Sequence, residues 1–137
     1  MKKYLNAAAG YAAAAMAGGV FYREFTKWNG FTGATALGKV HVHLFVLGMV
    51  VYLLVALFAA RGGLEGQRSF RLFGIFYNAG LILTVAMLVV RGVLQVLGTA
   101  LPHGADAAVS GVAGLGHAAL GAGLVFLFVS LKKQAEN

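Results

Sequence analysis

Residues Ala36 to Ala60 read ALGKVHVHLFVLGMVVYLLVALFAA, with Lys39, His41 and His43 as the basic side chains and no acidic one. A membrane-spanning helix needs about 20 predominantly apolar residues to cross roughly 30 Å of hydrocarbon, and this run is long enough. It lacks the alternation of a half-buried strand, and a bilayer offers no water to unpaired backbone groups, so the run is expected to be helical. Three further runs read the same way: Tyr4–Tyr22, rich in Ala and Gly, then Phe70–Leu97 and Ala107–Leu131.

Composition agrees. Of 137 residues 60% are apolar and 11% charged, with a mean hydropathy of +0.81. A soluble domain carries about 25% Asp, Glu, Lys and Arg, so a cytosolic globule, a disordered tail and a nucleic-acid-binding module are all excluded. The net charge of +7 and pI near 10.1 do not restore a nucleic-acid partner, because the basic residues sit between apolar runs instead of forming a patch. With no cysteine, disulfides, thiolate metal sites and thiol nucleophiles are excluded. A single proline favours uninterrupted helices.

The expected fold is all-α: one integral-membrane domain over residues 1–137, an up-down-up-down four-helix bundle with spans at about 4–22, 36–60, 70–97 and 107–131, and the lipid bilayer as its surroundings. Met1-Lys2-Lys3 before an Ala-rich stretch ending Ala15-Met16-Ala17 also has the form of a signal peptide; we read it as a retained first helix. Lys2, Lys3, Arg61, Arg68, Arg71, Lys132 and Lys133 fall on one side of the spans. This places both termini in the cytoplasm of a bacterium, the chain in its plasma (inner) membrane, and the loops carrying Trp28 and His103 outside. Gly10, Ala14 and Gly18 make a small-residue stripe on the first helix, which suits either a homo-oligomer or close packing within one bundle.

Polar groups are expensive inside a membrane, so those that remain are informative. At about 100° per residue, Gly38, His41, Phe45, Gly48 and Tyr52 share one face of the second helix, with His43, Lys39, Val46 and Val50 nearly opposite. On the fourth, Ser110, Gly114, His117, Gly121, Leu124 and Phe128 share a face. On the third, Tyr77, Gly80, Thr84, Leu88, Arg91 and Gln95 line up and should look into the bundle. Both histidine-bearing faces set an imidazole between glycines, where a large flat group can lie against the backbone. At 1.5 Å per residue, Arg91, His41, His43 and His117 lie about 9, 8, 11 and 15 Å below the outer helix ends. Rotation favours His41 as the partner of His117; depth slightly favours His43.

Two imidazoles from different helices flanked by glycine are what a bis-ligated b-type haem requires, and its propionates need cationic partners. Arg91 is the best placed, with Arg23, Lys27 and Lys39 near the same surface. The expected ligands are His41 and His117, with His43 the substitute for His41; Gly38, Gly48, Gly114 and Gly121 supply the clearance. The expected role is one-electron transfer or redox and haem sensing, with a quinone or a redox protein as partner. Copper is the alternative cofactor, since imidazole suits it, although residues two apart on a helix face opposite ways and grip one ion poorly. The third reading is a cofactor-free structural or assembly protein, in which the histidines bond across helices and Arg91 snorkels outward. The spans hold no carboxylate and no nucleophile–base pair, which argues against cation transport and hydrolysis.

Val20-Phe21-Tyr22-Arg23-Glu24-Phe25-Thr26-Lys27, the stretch Gly38 to Gly48 and Ser110-Gly111-Val112-Ala113-Gly114-Leu115-Gly116-His117 resemble a family of small four-helix bacterial membrane proteins of unknown function, over essentially the whole chain. That resemblance implies the fold and no activity. More locally, His41-Val42-His43-Leu44 leading to Gly48 is similar to the low-spin-haem helix of haem–copper oxidases and nitric oxide reductases. There His41 aligns with the family's ligand and His43 does not. The catalytic copper histidines and proton-channel residues of those enzymes have no counterpart, so the similarity does not imply gas reduction.

Overall fold

The computed structural model describes residues 1–136, and among them every regular element is helical. Helix α1 is Lys2–Trp28, α2 is Leu37–Ala59, α3 is Arg68–Leu97 and α4 is His103–Ala135. The apolar runs thus become helices at the expected places; α1 and α4 run past their apolar stretches at both ends, α3 begins two residues early at Arg68, and α2 stays within its run. Helices α2, α3 and α4 are long and apolar enough to cross a membrane. Helix α1 is long enough, at 27 residues, but its Ala and Gly content makes it less apolar.

The ends are set locally. Gly98, at φ +65°, stops α3 in the left-handed conformation that glycine adopts without strain. Pro102 stands at the N-cap of α4. Gly62 and Gly63, at φ +79° and +80°, turn the chain between α2 and α3. That loop drops Leu64, fully buried, onto the end of the core. Lys3 Nζ, in the first turn of α1, lies 3.1 Å from Glu65 of the α2–α3 loop. The pair holds the Glu65 carboxyl below its usual range and the Lys3 ammonium above its own, an exposed contact that salt screens.

Neighbouring helices meet in opposite order along the chain. Tyr11 of α1 lies against Gly48 of α2 and Gly18 against Val40. Tyr77 of α3 lies against Gly123 of α4, and Thr84 against Gly116. The α3–α4 contact is the most extensive, and it is tight: a Cβ on Gly80 would sit 2.5 Å from the Leu120 backbone nitrogen, and one on Gly123 would sit 2.8 Å from the Tyr77 backbone. The packed face of α1 is Tyr4, Ala8, Tyr11 and Ala15, whereas Gly10 and Ala14 are exposed. Of the expected small-residue stripe, Gly18 alone meets a neighbouring helix.

The core holds a polar knot. Tyr11 Oη donates to Asn78 Oδ1 at 2.5 Å, and Asn78 Nδ2 donates to Tyr52 Oη and to the Gly74 carbonyl. Four groups that would each be costly alone in hydrocarbon satisfy one another, tying α1, α2 and α3 together. Residues Leu44–Val50 of α2 wind as a π-helix. Such a turn displaces backbone carbonyls from their usual donors, and Tyr77 Oη of α3 donates to the Leu47 carbonyl at 2.8 Å.

Candidate functional site

The expected grouping of side chains on α2 holds, but the neighbour of each face differs from expectation. Gly38 faces the Tyr22 ring, His41 faces Gly19, and Gly48 is filled by Tyr11; Tyr52 stacks on Tyr11 at 5.6 Å. All three partners, Tyr22, Gly19 and Tyr11, belong to α1. Gly38 and Gly48 therefore give room to tyrosines of the same chain and leave none for a flat ligand. A glycine records that something comes close, and here that something is α1. His41 Nδ1 is buried against α1 with no hydrogen-bond partner.

The opposite face of α2 meets α4. The rings of His43 and His117 lie with centroids 6.5 Å apart and planes crossed at 88°. It is thus His43, and not His41, that the structure brings to His117. Each ring is fixed in the same way. His43 Nδ1 lies 2.8 Å from the Lys39 carbonyl oxygen, and His117 Nδ1 lies 2.8 Å from the Ala113 carbonyl oxygen, each four residues back on its own helix. A carbonyl only accepts, so Nδ1 carries the proton in both rings, and in the neutral imidazole Nε2 keeps its lone pair.

The surroundings of the pair are uneven. On α4, Gly114 and Gly121 bracket His117, and a Cβ on either would meet nothing within 4 Å. His43 is half-buried and His117 exposed, so the pair sits at the open edge between α2 and α4. These two helices come together far less than α3 and α4 do. Lys39, exposed, lies one turn above His43. Arg91 of α3 reaches over to α4, donating to Ser110 Oγ at 2.8 Å and to Asp106 Oδ1 at 3.2 Å. Arg23 is exposed and lies 3.8 Å from Glu24 on its own helix. Of the expected cations, Lys39 thus shares the α2 face that carries His43, Arg91 reaches the α4 face that carries His117, and Arg23 stays with Glu24 on α1.

Among the described residues no three His, Cys, Asp or Glu side chains come together as metal ligands. His103 opens α4, fourteen residues and about 21 Å of helix above His117. The Arg91–Asp106 pairing was not visible in sequence, because Asp106 reads as a loop residue until the helix is seen to start at His103. Nor was the π segment, since a fixed 100° register does not allow for a turn that stores an extra residue.

Residues 1–134 match a family model described as a protein of unknown function (DUF2871), and the chain belongs to that family. No curated protein and no solved structure matches it. The match carries no link to haem–copper oxidases.

Proposed function

We propose that the chain is a four-span bundle of the bacterial inner membrane, termini inside, holding one b-type haem between α2 and α4 for one-electron transfer or redox sensing. The observation that carries this reading is the His43–His117 pair, in which both Nδ1 atoms are held by helix carbonyls. An imidazole whose Nδ1–H is bonded to a carbonyl is the tautomer that offers Nε2 to a metal, and that second bond fixes the ring's orientation. The two ring centroids stand 6.5 Å apart across the α2–α4 seam.

Iron in a porphyrin would supply a one-electron couple tuned by its axial ligands and their hydrogen bonds. The chain's own residues do the rest. His43 and His117 would hold the iron, Gly114 and Gly121 leave the backbone of α4 bare beside His117, and Lys39 and Arg91 would offer cations to the propionates. Asp106 competes for Arg91, so carboxylates arriving there must share or displace it. Copper is less well served, since the site offers two imidazoles and no third ligand. A quinone or a redox protein remains the partner class that fits a membrane electron carrier.

The test is a reduced-minus-oxidised absorption spectrum of the chain purified from membranes. Sharp dithionite-sensitive bands are expected, lost in both His43→Ala and His117→Ala and kept in His41→Ala. The oxidised protein should give the strongly anisotropic low-spin magnetic-resonance signal of crossed imidazole planes. Loss of the bands in His41→Ala alone would move the ligand back to the α1-facing side and overturn the reading.

A further inference from the structure

At the opposite end of the same α2–α4 seam two recesses adjoin. The first is an apolar groove of about 270 Å³, lined among others by Val51, Leu54 and Phe58 of α2 and by Leu124, Phe128 and Leu131 of α4. The second, about 310 Å³, shares Phe58 and Leu131 with it and continues to Arg61, the Gly62–Gly63 turn and Gln134. Because they meet at Phe58 and Leu131, the two open recesses are taken together as a channel from apolar walls to a polar mouth. Gln134 donates to the Phe58 and Gly62 carbonyls, which fixes the wall between α4 and the end of α2. The Arg61 guanidinium lies 5.8 Å from the Phe58 ring centroid, at the junction of the two parts. No carboxylate lines the mouth among the described residues.

We propose that this channel holds an anionic phospholipid, with one acyl chain in the groove and the headgroup phosphate at Arg61. The apolar part suits a chain and nothing polar, because burying a polar group there leaves it without a hydrogen-bond partner. The cationic mouth makes the charge choice: a guanidinium bonds a phosphate bidentately and stays charged. A zwitterionic lipid brings its own cation to a site that already has one. A free phosphate leaves the groove empty and gains nothing from its apolar walls. This site shares no residue with the histidine pair, so the two proposals stand or fall separately.

The full chain, purified in mild detergent and mixed with either phosphatidylglycerol or phosphatidylcholine, is weighed intact by native mass spectrometry. One phosphatidylglycerol should stay bound at about fivefold lower concentration than phosphatidylcholine, the factor expected for one cation near an anionic headgroup. Arg61→Gln should bring the two lipids level. Leu131→Trp, which fills the junction, should weaken both, with helical content checked by circular dichroism. Inorganic phosphate should not displace the lipid. Equal retention of the two lipids by the unaltered chain, undiminished selectivity in Arg61→Gln, unchanged retention in a folded Leu131→Trp, or release by phosphate would each overturn the proposal. So would a neutral isoprenoid co-purifying in the lipid's place.

Discussion

Helix α4 carries two rows of glycine, and they do opposite things. Gly116 and Gly123 face α3 so closely that a Cβ on either would come within 2.8 Å of Thr84 or Tyr77. Gly114 and Gly121 stand one face away, on either side of His117, with nothing within 4 Å. The first row is explained by what touches it. The second is explained by no protein group, and in a helix glycine costs about 0.5–1 kcal/mol relative to alanine. A cost without a protein contact to offset it directs attention to something outside the chain.

The contrast breaks most visibly on the closed row. Gly123→Leu should destabilise the fold by about 3 kcal/mol, because backbone rather than a flexible side chain stands in the way; an unchanged melting temperature in detergent would mean that α3 and α4 are not so close. The next effect is on the proposed haem ligands beside the open row. His117→Ala should cut haem retention at least about tenfold, the lower bound for losing even an outer-sphere partner, measured as haem per chain, while melting of the haem-free chain stays the same. Third, Gly121→Phe should leave the melting of the haem-free chain within about 0.5 kcal/mol, yet lower haem content; if haem content holds, the open row is not clearance. The smallest effect sharpens the comparison from the other side: Gly114→Ala should raise stability by about 0.5–1 kcal/mol through helix propensity alone, read as a small upward shift in melting.

Sequence periodicity reached far into this molecule and stopped at an identifiable point. The apolar runs mark the helices, since length and hydropathy survive any detail of packing. The 100° register also grouped Gly38, His41, Gly48 and Tyr52 correctly on one face. A helical wheel states which residues look the same way, however, and not what they look at; the tyrosines Tyr11 and Tyr22 of α1 took the place expected for a ligand. On α4 the same reasoning gave a face whose glycines do stay open, because α3 packs against the neighbouring row. The Tyr11–Asn78–Tyr52 knot depends on three helices meeting at one level, which no single helix's pattern records.

The separation of the two imidazoles is inherited rather than built by the helices that carry them. Helices α2 and α4 barely lean on each other; α2 is seated chiefly on α1 and meets α3 through the Tyr77 hydroxyl on the Leu47 carbonyl, while α4 is seated on α3 through Gly80, Gly116 and Gly123. The third helix therefore works as a calliper whose jaws end in His43 and His117. Removing one hydroxyl from it, as in Tyr77→Phe, deletes the bond to the Leu47 carbonyl and loosens one jaw, so a residue that touches neither ring bears on how far apart they stand.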